Sequence, residues 1–160
     1  MKSQELKIRK PFKNGRTRLV DGELKRIRFS VLRLDSGKRF QEKLTGLELG
    51  IVLLSGKVEI EAAGQKYRLG PRRDVFLDPA WGLYLPGNMT WKIQALKKSE
   101  LALAYAPGPK KGEAQLIAPE QLVVRHRGKD MFQRKVSDIM VSQVSAKNLL
   151  IGETINMPGQ

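Results

Sequence analysis

From Leu24 to Ala106 the chain repeats one pattern, in which short stretches of alternating apolar and polar residues are cut by Gly, Pro, Asp or Ser. A period of two puts successive side chains on opposite faces of a strand, and helical periodicity over ten or more residues is scarce. The pattern predicts strands at residues 25–34, 49–54, 57–62, 65–69, 74–77, 83–85, 90–95 and 101–105. Turns are expected at Asp35-Ser36-Gly37, Ser55-Gly56, Ala63-Gly64, Leu69-Gly70-Pro71 and Pro86-Gly87-Asn88. Pro107-Gly108-Pro109-Lys110-Lys111-Gly112 reads as a linker, Ala118-Pro119-Glu120-Gln121 as one helical turn, and residues 149–157 as a further strand. The number and spacing of strands suit an all-β fold, an antiparallel β-sandwich or jelly-roll barrel. One barrel is expected over residues 1–106, with residues 107–160 supplying a linker and C-terminal strands packed on the same domain.

Particular residues sharpen this picture. Gly37, the run Ile51-Val52-Leu53-Leu54 closing at Ser55-Gly56, and the alternating Lys57-Val58-Glu59-Ile60-Glu61 are similar to the first motif of the cupins. Leu83-Tyr84-Leu85-Pro86-Gly87 resembles the second. The resemblance implies a cupin-like jelly-roll barrel. In metal-dependent cupins two His, a Glu and a third His hold the ion, and motif spacing puts those places at Lys43, Thr45, Leu49 and Trp91. None of these replaces a neutral imidazole or a carboxylate, so the resemblance implies a barrel without its metal. Glu48 adjoins the carboxylate place, but a one-residue offset turns a strand side chain to the opposite face.

Composition agrees, because the chain has one histidine, His126, and no cysteine. No cofactor is therefore expected in this chain. Sixteen carboxylates leave an all-oxygen site for a hard cation open, yet no Asp-rich loop has calcium-binding spacing. His126 lies between Arg125 and Arg127 and is read as a structural or surface residue. Phosphate-binding Gly loops, nucleophile elbows and paired metal histidines are absent, so no catalytic residue is assigned. Trp81, Tyr84 and Trp91 have two readings, a sugar-stacking wall or simple packing. If a ligand pocket exists, its candidates are Tyr84, Trp91 and Lys43. Arg72-Arg73-Asp74 is read as a solvated turn, with a carboxylate clamp as the alternative.

The formal charge is +14, and residues 1–40 hold thirteen Lys and Arg against four Asp and Glu. These cations alternate with Ile27, Phe29, Val31 and Leu34, as on the outer face of a half-buried strand. Any binding to nucleic acid is expected to be weak and sequence-independent, since no base-reading element accompanies the charge. No apolar run approaches the roughly 20 residues that cross a bilayer, and no apolar segment follows the basic N-terminus. The expectation is a cytoplasmic protein with no membrane partner, and the missing cysteines fit a reducing compartment. High Lys and Arg content without cysteine also fits a hot environment.

Four segments together carry a closer resemblance: residues 51–60, Leu83-Tyr84-Leu85-Pro86-Gly87, Leu101-Ala102-Leu103-Ala104-Tyr105-Ala106-Pro107-Gly108, and Val123-Val124-Arg125-His126-Arg127-Gly128-Lys129. They resemble the N-terminal half of the 5-deoxy-glucuronate isomerases of myo-inositol catabolism, which are related to 5-keto-4-deoxyuronate isomerases. The likeness continues through Arg134-Lys135-Val136-Ser137-Asp138-Ile139 to Met157-Pro158-Gly159. It implies a two-cupin protein whose second half carries the divalent-metal ligands, so this half is expected to be inactive by itself. An alternative is a stand-alone module that binds an anionic ligand, such as a sugar acid. A homodimer is also expected, with residues 25–34 and 149–157 as candidate edge or face strands.

Overall fold

The computed structural model describes residues 10–129 and 132–156. In order come β1 (Gly15–Val20), β2 (Arg28–Leu34), β3 (Arg39–Lys43), β4 (Leu47–Ala62), β5 (Gln65–Arg72), β6 (Trp81–Leu85), β7 (Thr90–Pro107) and β8 (Gln115–Ile117). A 3-10 turn at Pro119–Gln121 precedes β9 (Val123–Arg127), β10 (Arg134–Met140) and β11 (Ile151–Asn156). All strand pairings are antiparallel. No helix among the described residues is long and apolar enough to cross a membrane.

Two long strands organise the molecule. β4 and β7 pair along nearly their whole length, from Leu47 opposite Pro107 to Ala62 opposite Trp91. At one end β7 carries β2 and then β1 while β4 carries β6 and then β8; at the other end β3 and β5 take the flanking places. The chain therefore forms a six-stranded and a four-stranded half that share two strands. Between them lies the main core, built from Leu32, Leu49, Ile51, Leu53, Leu83, Leu101 and Leu103 of the first half and Val58, Ile60, Leu69, Trp91 and Ile93 of the second. Each large apolar side chain buried this way contributes about 1.5–3 kcal/mol. This is the all-β jelly-roll sandwich that the alternation predicted.

Phase along β4 shows how one strand serves both halves. Leu49, Ile51 and Leu53 face the core, and so do Val58, Ile60 and Ala62, a step of five where strict alternation allows only even steps. Register shifts between Leu53 and Val58 absorb the extra residue, as β-bulges do. Ser55-Gly56, expected as a turn, is thus a bulged bend inside a 16-residue strand. Gly56 adopts φ +97°, and a side chain there would meet Ser99 and the Lys98 carbonyl. Leu69-Gly70-Pro71 likewise lies within β5 rather than in a turn.

Residues 74–77, expected as a strand, form a turn. Asp74 Oδ1 accepts the backbone N–H of Phe76 at 2.7 Å and of Leu77 at 2.9 Å, an Asx turn that competes with strand pairing. Both apolar side chains are exposed. The same turn is closed by Arg73, which donates to Asp78 and, helped by its own backbone N–H, holds that carboxyl down at about 2. Of the two strands proposed as edges, β2 is not one, because β1 and β7 flank it. β11 is an edge of the second sheet, ordered β11-β10-β9, and Met157 lies outside the described residues.

That second sheet packs on the outer face of the six-stranded half. Val52, Ala80, Tyr84 and Ile117 meet Ile139, Met140 and Val144 there in a smaller core. Close approach explains Gly50 and Gly82. A Cβ on Gly82 would stand 2.9 Å from Ile139 Cγ2, and one on Gly50 3.0 Å from Met140 Sδ. Glu48, fully buried on this outer face, anchors the connection between β10 and β11. Its carboxylate accepts the Tyr84 hydroxyl at 2.8 Å and the backbone N–H groups of Lys147 and Asn148 at 2.8 and 2.6 Å. Burial and this carboxylate both raise the pKa of the Tyr84 hydroxyl.

Candidate functional site

Among the described residues three places bear on the expected site: the barrel interior, one end of the barrel, and a cleft where the long strands bend. In the interior two of the four expected ligand positions, one from each motif, are core. Leu49 and Trp91 are fully buried, and the Phe40 ring packs on Trp91 with centroids 5.6 Å apart at 53°. Trp91 Nε1 is the one buried side-chain nitrogen or oxygen without a hydrogen-bond partner among the described residues. An orphaned N–H is tolerated here only because the ring fills the interior.

Lys43 and Thr45 are exposed and do not face that interior. The residues of β3 that turn toward the core are Phe40 and Glu42, with Leu44 buried just beyond. Counting back from Gly56 assumes unbroken alternation, but the chain bends at Thr45-Gly46, with Gly46 at φ +65° and its N–H on Asn88 Oδ1. A one-residue change of phase exchanges inner and outer positions. The donor set facing the interior is therefore one carboxylate and aromatic or aliphatic groups, which does not fit a divalent transition metal. Among the described residues no three His, Cys, Asp or Glu side chains cluster as a metal site.

Tyr84, Trp91 and Lys43 are not brought together. Trp91 belongs to the main core, Tyr84 to the smaller core on the opposite face of the sheet, and Lys43 to the surface. Trp81 is half-buried against the main core. His126 is exposed on β9 opposite Lys135.

At one end of the barrel sits a polar cluster that the alternation left unremarked. Glu42 accepts from Arg16 Nη1 and, at 2.8 Å, from the Tyr105 hydroxyl, tying β1, β3 and β7 together. Burial opposes the charge on Arg16, but the bonds to Glu42 and Tyr105 outweigh it and raise its pKa. Burial, reinforced by the Glu42 charge, raises that of Tyr105. The signal was present in the sequence, since Glu42 falls in phase with Phe40 on the apolar face of β3. The adjoining cavity is only about 60 Å³, small beside the ~300–1,000 Å³ of ligand pockets, so the cluster reads as a strut.

The cleft is larger, about 780 Å³, and lies where β4 and β7 pass from one half to the other. Its lining includes Phe12, Arg33, Ser55, Arg72, Lys97 and Lys98. Arg72 corrects the solvated-turn reading. It is 2% exposed and makes a bidentate pair with Glu153 of β11, at 2.8 and 2.7 Å, while donating to the carbonyls of Leu53 and Asp78.

The KduI/IolB family profile matches residues 9–160. The chain belongs to the KduI/IolB family. Among curated relatives, the 5-deoxy-glucuronate isomerase of Geobacillus thermodenitrificans is 32% identical over 133 residues, covering 82% of this chain and 48% of that protein. That of Halalkalibacterium halodurans is 33% identical over 142 residues, covering 87% and 53%. This KduI/IolB chain thus spans about half the length of the curated relatives it matches. An IolB-like protein of Salmonella typhimurium LT2, solved by crystallography, superposes with TM-score 0.83 at 30% identity over 89% of this chain and 56% of that one. A cupin 2 conserved barrel domain protein of Leptotrichia buccalis, 12% identical with TM-score 0.51, shares the fold alone.

Proposed function

We propose that this KduI/IolB chain is the metal-free cupin unit of a 5-deoxy-glucuronate isomerase activity, an aldose–ketose isomerisation of a uronate in myo-inositol catabolism, and is inactive by itself. The observation that carries this reading is the filled barrel interior, with Leu49 and Trp91 in the core where a metal-bearing cupin places ligands. Moving a proton between adjacent carbons of a sugar needs a base at the C–H and an electrophile at the oxygens. Glu42, the one carboxylate turned inward on β3, is engaged by Arg16 and Tyr105 beside a cavity too small for a sugar. The unit instead offers a stiff double-layered scaffold, and a second cupin would supply the metal-binding half. The open edge of β11 is where a second copy would pair if the chain forms a homodimer.

Assaying 5-deoxy-glucuronate isomerisation tests the proposal. The chain alone is expected to show no turnover above background with any divalent metal, and a candidate second cupin, co-expressed, to restore it. Turnover near a typical enzyme's ~10 s⁻¹ by the chain alone would overturn the reading.

A further inference from the structure

Lys97 and Lys98 are neighbours in β7, and in a regular strand their side chains would point to opposite faces. Both residues belong to the lining of the 780 Å³ cleft, together with Arg33, Arg72 and Arg73. The β4–β7 ladder shifts register three times between Leu53 and Val58, directly opposite them, and bulges of this kind re-aim side chains. The cations around them are already engaged: Arg33 with Glu100, Arg72 with Glu153 and Arg73 with Asp78. Asp35, the other carboxylate of the lining, accepts from Asn14. Among the described residues no carboxylate pairs with Lys97 or Lys98, so the lining holds two cations without an ion-pair partner, while its carboxylates, Asp35 and Glu100, are already engaged. Such a place focuses a positive potential. Its walls are mixed. Phe12, with the Arg33 guanidinium 4.7 Å above its ring, and Pro71 give apolar surface, and the half-buried Ser55 hydroxyl gives a polar edge.

We propose that this cleft binds a small organic anion, its charged group between Lys97 and Lys98 and its carbon skeleton against Phe12 and Pro71. The site is outside the barrel interior and independent of the isomerase-unit reading, so an inactive chain that binds and an active chain that does not are distinguishable results. A volume of 780 Å³ accommodates a sugar-sized ligand. A carboxylate or a phosphate on that ligand would satisfy the lysines alike.

Amide chemical-shift titrations of the intact chain separate the sources, using glucuronate, glucose 6-phosphate, inorganic phosphate and neutral glucose. Saturable shifts clustered at Ser55, Gly56 and residues 97–100 are expected with one or both sugar anions, with glucose silent and inorganic phosphate weaker. Which sugar anion binds tighter identifies the charged group. The K97E/K98E variant, altered at two exposed positions, is expected to weaken binding about tenfold or more, whereas K110E/K111E, in the loop after β7, leaves it unchanged. No saturable shift with either sugar anion overturns the proposal. So does equal binding of glucose, inorganic phosphate as tight as both sugar anions, or an equal loss in K110E/K111E.

Discussion

Glu153→Ala is expected to destabilise the chain by about 3–5 kcal/mol, because it strands the Arg72 guanidinium without its counter-charge inside the fold. The pair is unlike an exposed ion pair, which is worth about 0–1 kcal/mol. Arg72 is 2% exposed, both oxygens of Glu153 receive its N–H groups, and the bond joins the end of β5 to β11 across the two sheets. Losing it should loosen the second sheet from the first. At roughly 2–4 °C per kcal/mol for a chain of this size, the unfolding midpoint should fall by about 10 °C. Urea unfolding followed by circular dichroism measures the cost. In the double variant Arg72→Met/Glu153→Leu neither charge of the pair remains, so it should lose less than Glu153→Ala alone, although the Leu53 and Asp78 carbonyls give up a donor. A cost below about 1 kcal/mol for Glu153→Ala would mean that water reaches Arg72 and the sheets are held by apolar contact alone.

Trp91→Ala is expected to cost a similar amount, about 3–5 kcal/mol, by opening a void in the main core. Trp91→Phe should cost far less, within about 1.5 kcal/mol, because it keeps a ring beside Phe40 and removes the unpartnered Nε1–H. Comparing the two by denaturant unfolding decides whether position 91 is core or pocket. A lining residue of a water-filled pocket would tolerate alanine, so a loss below about 1 kcal/mol in Trp91→Ala would contradict the filled interior.

How far the sequence reveals this protein depends on the phase of the alternation. Where apolar and polar residues alternate, as in Lys57-Val58-Glu59-Ile60-Glu61, or an apolar run has a strand's length, as in Ile51-Val52-Leu53-Leu54 or Leu101 to Tyr105, the strand and the fold class are legible. β3 escaped because Arg39-Phe40-Gln41-Glu42-Lys43 has one apolar residue, and its inward carboxylate is satisfied only by distant Arg16 and Tyr105. β1 escaped because Arg16 and Arg18 break the apolar pattern of an outer strand. The bulges between Leu53 and Val58 look like a turn in the sequence, since Ser-Gly has turn chemistry; that they join two half-strands depends on pairing with β7, some forty residues away. The candidate pocket failed for the same reason. Tyr84 and Trp91 lie in strands whose relative phase is fixed by the sheet, and the sheet puts them on opposite faces. Arg72 gave no local hint of burial, because its partner Glu153 is 81 residues on.

The central claim is that this KduI/IolB barrel is a packed core and not a metal site. It is tested most directly by elemental analysis of the intact chain after loading with zinc, manganese, iron or nickel and dialysis against a chelator. The claim predicts no stoichiometric retention of any of them. About one equivalent per chain surviving dialysis would contradict it, and would place a donor set in this fold that Lys43, Thr45, Leu49 and Trp91 do not provide.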